Sequence, residues 1–258
     1  APEFYSGGAK LTLLDGADAK IDLDSFTQAV AETGQVGAHN VQKGALSITT
    51  ATENGAVYSV AEIEALCAVA KANDIPVHLD GARFANALVK LGCSPAEMTW
   101  KAGIEVVSFG GTKNGCVGAE AVILFDPKRA WEFELRRKRG GHLVSKHRYL
   151  SAQMEAYLTD DLWLNMAAKS NAAAAKLSTG ILQLPGANLL HPTDANIVFA
   201  GWKRSGHQAL QDAGAHYYFW PFDQTLDGDP DEILTARMVC NWATTEEDVS
   251  NFLRIIAE

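Results

Sequence analysis

Lys113 is the residue whose type and setting in this sequence most directly suggest chemistry. It lies in the stretch VVSFGGTKNGCVG, residues 106–118, where an apolar strand runs into a loop with four glycines. Open parallel sheets bind ligands at the carboxyl ends of their strands, and the apolar run places Lys113 at such an end. A lysine that is desolvated there loses its proton more readily and can form a Schiff base. Most loop lysines are solvated surface residues, so this chemistry requires partners elsewhere in the chain.

Asp80 is the first candidate partner. Alternation along residues 75–80 puts His78 and Asp80 on one face of a strand, and Val77 and Leu79 on the other. A carboxylate at the end of a buried strand is costly unless it meets a cation, and the protonated ring nitrogen of pyridoxal phosphate (PLP) is one such cation. Spacing alone leaves a second interpretation equally open, in which Asp80 caps the helix that follows this strand.

Two arginines are candidates for binding an anion. Arg83 lies three residues after Asp80, where its guanidinium could reach the same crevice and bind a carboxylate through two hydrogen bonds. The alternative is an ordinary arginine on the surface of a helix. Arg237 lies in the apolar stretch ARMV, residues 236–239, and an arginine among such neighbours usually has an anionic partner. That partner is either a substrate or a carboxylate of the protein itself.

The elements that position these residues alternate between strand and helix. The order predicted from periodicity and capping boxes is strand 46–49, helix from the capping box at 59–62, strand 75–79, helix 84–91, helix from the capping box at 94–97 to about Gly103, and the strand that leads to Lys113. Strand–helix–strand units of this kind form parallel pairs with right-handed crossovers. The sequence therefore predicts that Asp80 and Lys113 face one crevice at the edge of a parallel sheet.

The remaining elements follow from the same rules and predict an α/β fold, with a mostly parallel sheet flanked by helices. They are a short strand at 11–14, helix 23–32, a buried strand at 121–125, a helix after 126–127, helices 151–158 and 162–182, strands 197–199, 216–219 and 235–239, and helices 206–213 and 246–256. The stretch Leu184-Pro185-Gly186 predicts a boundary between domains. We therefore predict a large domain at residues 1–184 and a smaller α/β domain at residues 185–258.

Composition limits the classes of function that remain. The 258 residues are 47% hydrophobic, which is enough for a sizeable core, and the net charge of -9 argues against nucleic acid as the main partner. Neither a secretory signal peptide nor an apolar run long enough to cross a bilayer occurs in the sequence. The four cysteines lack CxxC spacing, so the sequence indicates neither a metal site nor a disulfide framework. These features predict a cytoplasmic protein that does not associate with membranes.

The sequence resembles the low-specificity L-threonine aldolase and phenylserine aldolase family over nearly its whole length. The segments that carry the resemblance are His39, ENG at 53–55, HLDGAR at 78–83, SFGGTKNG at 108–115 and residues 136–153. The HLDGAR and TKNG pair is specific when it occurs in this order. This family is a PLP-dependent lyase group with the aspartate-aminotransferase-like fold. The resemblance therefore implies PLP as cofactor and retro-aldol cleavage of L-threonine and other L-3-hydroxy-α-amino acids to glycine and an aldehyde.

The resemblance also implies roles for individual residues. Lys113 would form the Schiff base with the cofactor, and Asp80 would pair with the pyridine nitrogen. Arg83 and Arg237 would bind the substrate carboxylate, with Arg83 also near the phenolic oxygen of the cofactor. His39 matches a family histidine near the substrate hydroxyl, and it is our candidate for the catalytic base. The other residues predicted to bind the cofactor are Thr112, Arg139 and Lys146.

The sequence also departs from the family pattern. Family members begin with a further segment, which holds a phosphate-binding loop and a residue that stacks on the pyridine ring, and nothing before Ala1 supplies either. We therefore expect a chain that lacks its usual first segment, with exposed apolar sheet edges. A different PLP reaction, β-elimination or transamination, and a non-catalytic oligomerising fragment both remain alternatives. The family implies a homo-oligomer, either a dimer or a homotetramer, that acts on a small amino acid.

Overall fold

Two four-stranded sheets form the framework of the chain, and the computed structural model describes residues 2–257. The strands are β1 (Leu46–Thr49), β2 (Val77–Gly81), β3 (Val106–Gly110), β4 (Glu120–Leu124), β5 (Asn188–Leu189), β6 (Ile197–Lys203), β7 (Tyr218–Phe219) and β8 (Ile233–Val239). The helices are α1 (Pro2–Tyr5), α2 (Leu23–Glu32), α3 (Val60–Ala72), α4 (Phe84–Leu91), α5 (Pro95–Met98), α6 (Ala130–Arg139), α7 (Arg148–Leu158), α8 (Leu162–Ile181), α9 (Arg204–Asp212) and α10 (Glu246–Ala257). Single 3-10 turns occur at Ala17–Ala19, Gly37–His39, Thr112–Asn114, Pro127–Arg129 and Thr159–Asp161.

The first sheet has the strand order β1-β2-β3-β4 and is mostly parallel, as the sequence predicts. β1, β2 and β3 run parallel, with Thr49 beside Asp80 and Asp80 beside Ser108. β4 returns antiparallel to β3. A parallel return requires a crossover of about a dozen residues or more, and the connection at residues 111–119 is shorter.

Strand β4 differs from its prediction as a buried strand. Val122 is 41% exposed and Ile123 is 38% exposed, because β4 pairs with β3 on one side and has no second neighbour in the described sheet. The apolar sequence of β4 correctly indicates a strand, but it does not reveal whether both faces are covered. The exposed apolar edge that the sequence leads us to expect is found at this strand.

Capping interactions explain where the helices next to the first sheet begin. Ser59 accepts a hydrogen bond from Glu62 N, and the Glu62 carboxylate accepts one from Ser59 N, so both halves of the capping box of α3 are present. The helix then buries Ile63, Leu66 and Ala70 in the core on one face of the sheet. Helix α3, which connects β1 to β2 in the chain, therefore covers part of the first sheet.

Two local predictions are wrong. Helix α5 ends at Met98 and does not reach Gly103, because the Thr99 hydroxyl donates to the Pro95 carbonyl at 2.6 Å and the backbone leaves the helical region at Thr99. The strand predicted at residues 11–14 is also absent from the described chain, where this segment has no regular structure. Leu13 in that segment is 89% exposed, so no sheet partner buries its apolar residues.

The second sheet has the order β5-β6-β8-β7, and all of its strand pairs are antiparallel. The predicted strands are present, although β7 covers only Tyr218–Phe219 of the predicted 216–219. The sequence does not indicate the short strand β5. Helix α8 contributes Ala174, Leu177 and Ile181 to the core beneath this sheet. The other end of α8 is tied to α4, where the Asn86 amide donates to Ser170 at 2.9 Å.

No helix within residues 2–257 is long and apolar enough to span a membrane. The domain division at residue 184 stays a prediction.

His207 on α9 is a fully buried histidine in the core of the second sheet. Its Nε2 donates to the Leu234 carbonyl at 3.1 Å, so its Nδ1 accepts from the Tyr217 hydroxyl at 2.9 Å. The ring stacks on Trp202 with a centroid distance of 4.0 Å. Burial lowers the pKa of His207 to about 4 despite the carbonyl groups that bond to it, which means that the ring is neutral at pH 7.

Acid is expected to destabilise the fold through His207. Its pKa is about 6.5 in an unfolded chain, so the unfolded state binds the proton first as the pH falls. The stabilisation is complete above about pH 6.5 and decreases towards pH 4, by roughly 3 kcal/mol in total. His207→Gln keeps an N–H donor for the Leu234 carbonyl without a titrating group. Urea unfolding at pH 7 and pH 4.5 should therefore show a smaller acid-dependent loss in the variant, and an equal loss would contradict this assignment.

Candidate active site

Asp80 and Lys113 lie at the same edge of the first sheet. Asp80 is near the carboxyl end of β2, and Lys113 is in the 3-10 turn that follows the carboxyl end of the adjacent parallel strand β3. The side chain of Lys113 is exposed, whereas Asp80 is half-buried. Parallel neighbours present their carboxyl ends together, so this edge offers an amine and a carboxylate to one ligand.

The Asp80 carboxylate has a local hydrogen bond. Its Oδ1 accepts from the Ala82 N–H at 3.0 Å, which stabilises the turn between β2 and α4. Within the described chain no donor bonds to its Oδ2. Asp80 therefore closes the turn before α4 but does not cap that helix, whose N-cap is Arg83 and has no side-chain cap. It retains one carboxylate oxygen for a cation.

His78 connects three strands on the same face as Asp80. Its Nδ1 lies 2.9 Å from Ser47 Oγ on β1, and its Nε2 lies 2.9 Å from Ser108 Oγ on β3. Burial lowers the pKa of His78, and the nearby Asp80 carboxylate acts in the opposite direction. A neutral imidazole donates through one nitrogen and accepts through the other, so this chain of side chains cross-links the sheet below the candidate site.

Asn114 holds the turn that carries Lys113. It is 4% exposed, and its amide Nδ2 donates to the Tyr157 hydroxyl at 2.7 Å and to the Trp163 carbonyl at 2.9 Å. Gly115 then has φ +119, and a Cβ there would lie 2.1 Å from the Met166 methyl group. The TKNG segment is therefore packed closely against α7 and α8. An exposed lysine is thus carried on a fixed backbone.

Arg83 and Arg237 are near enough for their charges to interact, although one precedes α4 and the other lies in β8. Arg83 Nε donates to Asn196 Oδ1 at 3.1 Å, and the Asn196 amide is in turn bonded to the Cys240 carbonyl at 2.7 Å. Arg237 forms an ion pair with Glu53, with 3.1 Å between Nη2 and Oε1. The two arginines and Glu53 thus form a cluster between the first and second sheets.

Arg83 has less negative charge near it than would balance the positive charges of the two arginines. Burial lowers the pKa of Arg83, the positive charge of Arg237 lowers it further, and Glu53 opposes both effects. The Nε of Arg237 is buried and has no hydrogen-bond partner among residues 2–257. Two guanidinium groups with one exposed carboxylate between them leave capacity for a further anion.

The other predicted site residues are His39, Arg139, Lys146 and Thr112, and their roles stay predictions. His39 ends the 3-10 turn before β1, Arg139 ends α6, Lys146 lies between α6 and α7, and the side chains of all three are exposed. In the described part of the chain, no hydrogen bond or ion pair joins them to Lys113, Asp80 or either arginine. Thr112 is next to Lys113, and its backbone N–H donates to Glu120 at 3.2 Å.

Several residues of the site have no role in the predictions from sequence. They are Glu53, Asn114, Asn196 and the pair of serines that bond His78. Glu53 and Asn114 lie inside the ENG and TKNG segments, so the motifs include them without indicating what they contact. Asn196 offers no signal in the sequence, because its partners are at positions 83 and 240.

The fold defines a class of protein, that of PLP-dependent enzymes with the aspartate-aminotransferase-like fold. A family model described as "Beta-eliminating lyase" matches residues 1–204. The low-specificity L-threonine aldolase of Pseudomonas sp. is 39% identical over 249 residues, which cover 96% of this chain and 68% of that protein. The enzyme of the same name from Pseudomonas aeruginosa is 38% identical, over 99% of this chain and 70% of that protein.

A solved structure agrees with these relatives. The threonine aldolase of Leishmania major superposes with a TM-score of 0.82 at 25% identity, and the match covers 97% of this chain and 70% of that chain. The chain therefore belongs to the beta-eliminating lyase family, and within that family its relatives are low-specificity L-threonine aldolases. The family resemblance stated from the sequence motifs is confirmed.

Proposed function

We propose that this protein is a PLP-dependent aldehyde lyase that cleaves L-threonine and other L-3-hydroxy-α-amino acids to glycine and an aldehyde. The observation that carries the proposal is its 39% identity to a low-specificity L-threonine aldolase over 96% of the chain. The arrangement of Lys113 and Asp80 at the ends of adjacent parallel strands supports it.

The residues at this edge of the sheet fit PLP. Lys113 carries an amine that can bind the cofactor aldehyde, and the second oxygen of Asp80 can accept a hydrogen bond from a protonated ring nitrogen. The backbone here is compact, because a Cβ on Gly110 would lie 2.6 Å from the Ala82 carbonyl and one on Gly81 would lie 2.7 Å from the Ser108 carbonyl. When bound, PLP supplies an aromatic ring that accepts the electron pair of the bond being broken.

The arginine cluster orients the amino acid. Arg83 and Arg237 would bind its carboxylate, since each guanidinium can donate two parallel hydrogen bonds to a carboxylate. Asn196 fixes Arg83 through its 3.1 Å hydrogen bond, so one side of this carboxylate site is preorganised. Holding the carboxylate would fix the orientation of the substrate Cα, and that orientation would select the bond that breaks.

Two residues, Asp80 and His39, would control the protons that the reaction requires. Asp80, as a carboxylate, would keep the proton on the pyridine nitrogen and thereby maintain the ring as an electron acceptor. His39 is our candidate for the base that removes the proton from the β-hydroxyl group, directly or through a water molecule. The family relationship, together with the position of His39 in the sequence, supports that role.

Product analysis tests this proposal against the reactions that the same scaffold supports. The PLP-loaded protein should release acetaldehyde and glycine from L-threonine in equal amounts. The family description "Beta-eliminating lyase" favours β-elimination as the second candidate, which would yield a keto acid and ammonia instead. Keto acid without aldehyde would contradict the aldolase assignment, and the absence of both products would favour a non-catalytic protein.

We further propose a cytoplasmic homo-oligomer, either a dimer or a homotetramer. Cys67 and Cys240 are buried, and burial raises the pKa of each thiol to about 11, so both are inert reduced thiols in this fold. The exposed apolar residues of β4 offer surface for association. Light scattering of the purified protein measures the assembly, and a monomer at micromolar concentration would contradict it.

A further inference from the structure

Glu53 is presented by a turn whose backbone is fixed. Thr52 N donates to the Ala56 carbonyl at 2.8 Å, and Gly55 N donates to the Thr52 carbonyl at 2.9 Å. Gly55 has φ +86, and a Cβ there would lie 3.2 Å from the carbonyl oxygen of Ile197, so the turn rests against β6. The backbone on both sides of Glu53 is therefore held, whereas its side chain is 67% exposed.

Arg237 receives the carboxylate of Glu53 through a single contact. Glu53 Oε1 lies 3.1 Å from Arg237 Nη2, and the arginine side chain is only 14% exposed. The Nε of the same guanidinium is buried without a hydrogen-bond partner in the described structure. One face of the arginine lies over Phe199, at 5.8 Å from the ring centroid. The guanidinium is therefore neutralised by Glu53, but its hydrogen-bonding capacity is not filled.

We propose that Glu53 is an internal substitute for the substrate carboxylate, which neutralises Arg237 before substrate binds and rotates into solvent when a carboxylate enters. This inference rests on the proposed function, in which Arg83 and Arg237 bind that carboxylate. An ion pair with an exposed partner contributes little free energy, because water screens its charges. A carboxylate that bonds to both guanidinium groups gains more than this, so it displaces Glu53.

The charges around Arg83 support this role. Without Glu53, two partly buried guanidinium groups would repel each other with no counter-charge beside them. Burial and Arg237 lower the pKa of Arg83, and Glu53 acts in the opposite direction. The same carboxylate that relieves this repulsion competes with a ligand for Arg237. Its removal therefore strengthens ligand binding at some cost to the stability of the ligand-free protein.

Acetate is a suitable probe, because it has a carboxylate but no amine that could react with the cofactor. We would titrate acetate into the PLP-loaded protein at constant ionic strength and follow the NMR signals of the arginine Nε–H groups. Glu53→Gln should bind acetate about 2-fold to 5-fold more tightly than the wild type, because the competing charge is gone. Glu53→Asp, whose carboxylate is one methylene shorter, should fall between the two.

Glu246→Gln is the matched control. It removes an exposed carboxylate that lies 3.6 Å from Lys176 on the surface, and it should leave acetate binding unchanged. Equal or weaker binding of acetate by Glu53→Gln would overturn the proposal. If that variant does not fold by circular dichroism, Glu53→Asp decides the question, since tighter binding than the wild type is still required.

Aldehyde release from L-threonine, measured on the same preparations, separates this inference from the proposed function. Tighter acetate binding without any aldehyde release would support the role of Glu53 and contradict the aldolase reaction. Aldehyde release with unchanged acetate binding would support the reaction and overturn the role of Glu53. The two failures are therefore distinguishable.

Discussion

Replacing Lys113 with alanine is expected to reduce aldehyde release from L-threonine by at least about 1,000-fold, because the variant lacks the amine that binds the cofactor. The fold should survive this change. Lys113 is exposed, and the turn that carries it is held by the hydrogen bonds of Asn114 to Tyr157 and Trp163. Acetaldehyde release measures the loss, and circular dichroism and the melting temperature report whether the structure is retained.

Two further variants show whether the effect belongs to this amine. Lys113→Arg keeps the positive charge but removes the nucleophilic amine, so it should be as inactive as the alanine variant. Lys101→Ala removes another exposed lysine, which lies over Trp100 at 5.8 Å, and it should keep full activity. Borohydride reduction of the PLP-loaded wild type followed by peptide mass analysis should locate the cofactor on Lys113. Substantial activity in Lys113→Ala, or trapping at another lysine, would contradict the assignment.

The position of Asp80 and Lys113 at one edge of the sheet could be predicted, because it depends on local rules. The period of two along a strand places His78 and Asp80 on one face, and the observed burial of β2 alternates in that way. Strand–helix–strand order then makes β2 and β3 parallel neighbours, so their carboxyl ends coincide. Neither step requires knowledge of distant contacts.

The arginine cluster could be predicted only in part, since its contacts join distant segments. Arg237 and Glu53 are 184 positions apart. The apolar neighbours of Arg237 correctly indicate that it needs an anion, and they leave open whether that anion is a protein carboxylate or a substrate. The structure shows the protein carboxylate. Which residue supplies it depends on how the second sheet packs against the turn after β1, and periodicity carries no information on that packing.

Burial was predicted less well than the type of element. The sequence of β4 has the apolar character of a strand that is covered on both faces, yet Val122 and Ile123 are substantially exposed. Strand propensity reflects side-chain shape and hydrophobicity, whereas exposure depends on which strand lies next to it in the sheet. Helix α5 likewise begins at its predicted capping box, but a threonine side chain that bonds to the backbone ends it early.

Asp80→Asn is expected to lower the rate of aldehyde release by about 100-fold to 1,000-fold, because a neutral amide cannot stabilise the protonated pyridine nitrogen. The substitution should preserve the local structure, since the amide oxygen can still accept the hydrogen bond from the Ala82 N–H that Asp80 accepts now at 3.0 Å. The stability of the variant should therefore remain close to that of the wild type, while the chemistry is lost.

A spectroscopic measurement distinguishes this electrostatic role from a purely structural one. In the wild type the ring nitrogen of the bound cofactor should stay protonated across the neutral pH range, because the Asp80 carboxylate raises its pKa. In Asp80→Asn the nitrogen should lose its proton at lower pH, and absorbance or nitrogen NMR of the bound cofactor would detect the change. Asp126→Asn is the matched control, since Asp126 also accepts a backbone hydrogen bond, from Lys128 N at 3.0 Å, and should affect neither measurement. An unchanged ring-nitrogen pKa in Asp80→Asn would assign Asp80 to the turn alone, and another residue would then have to hold that proton.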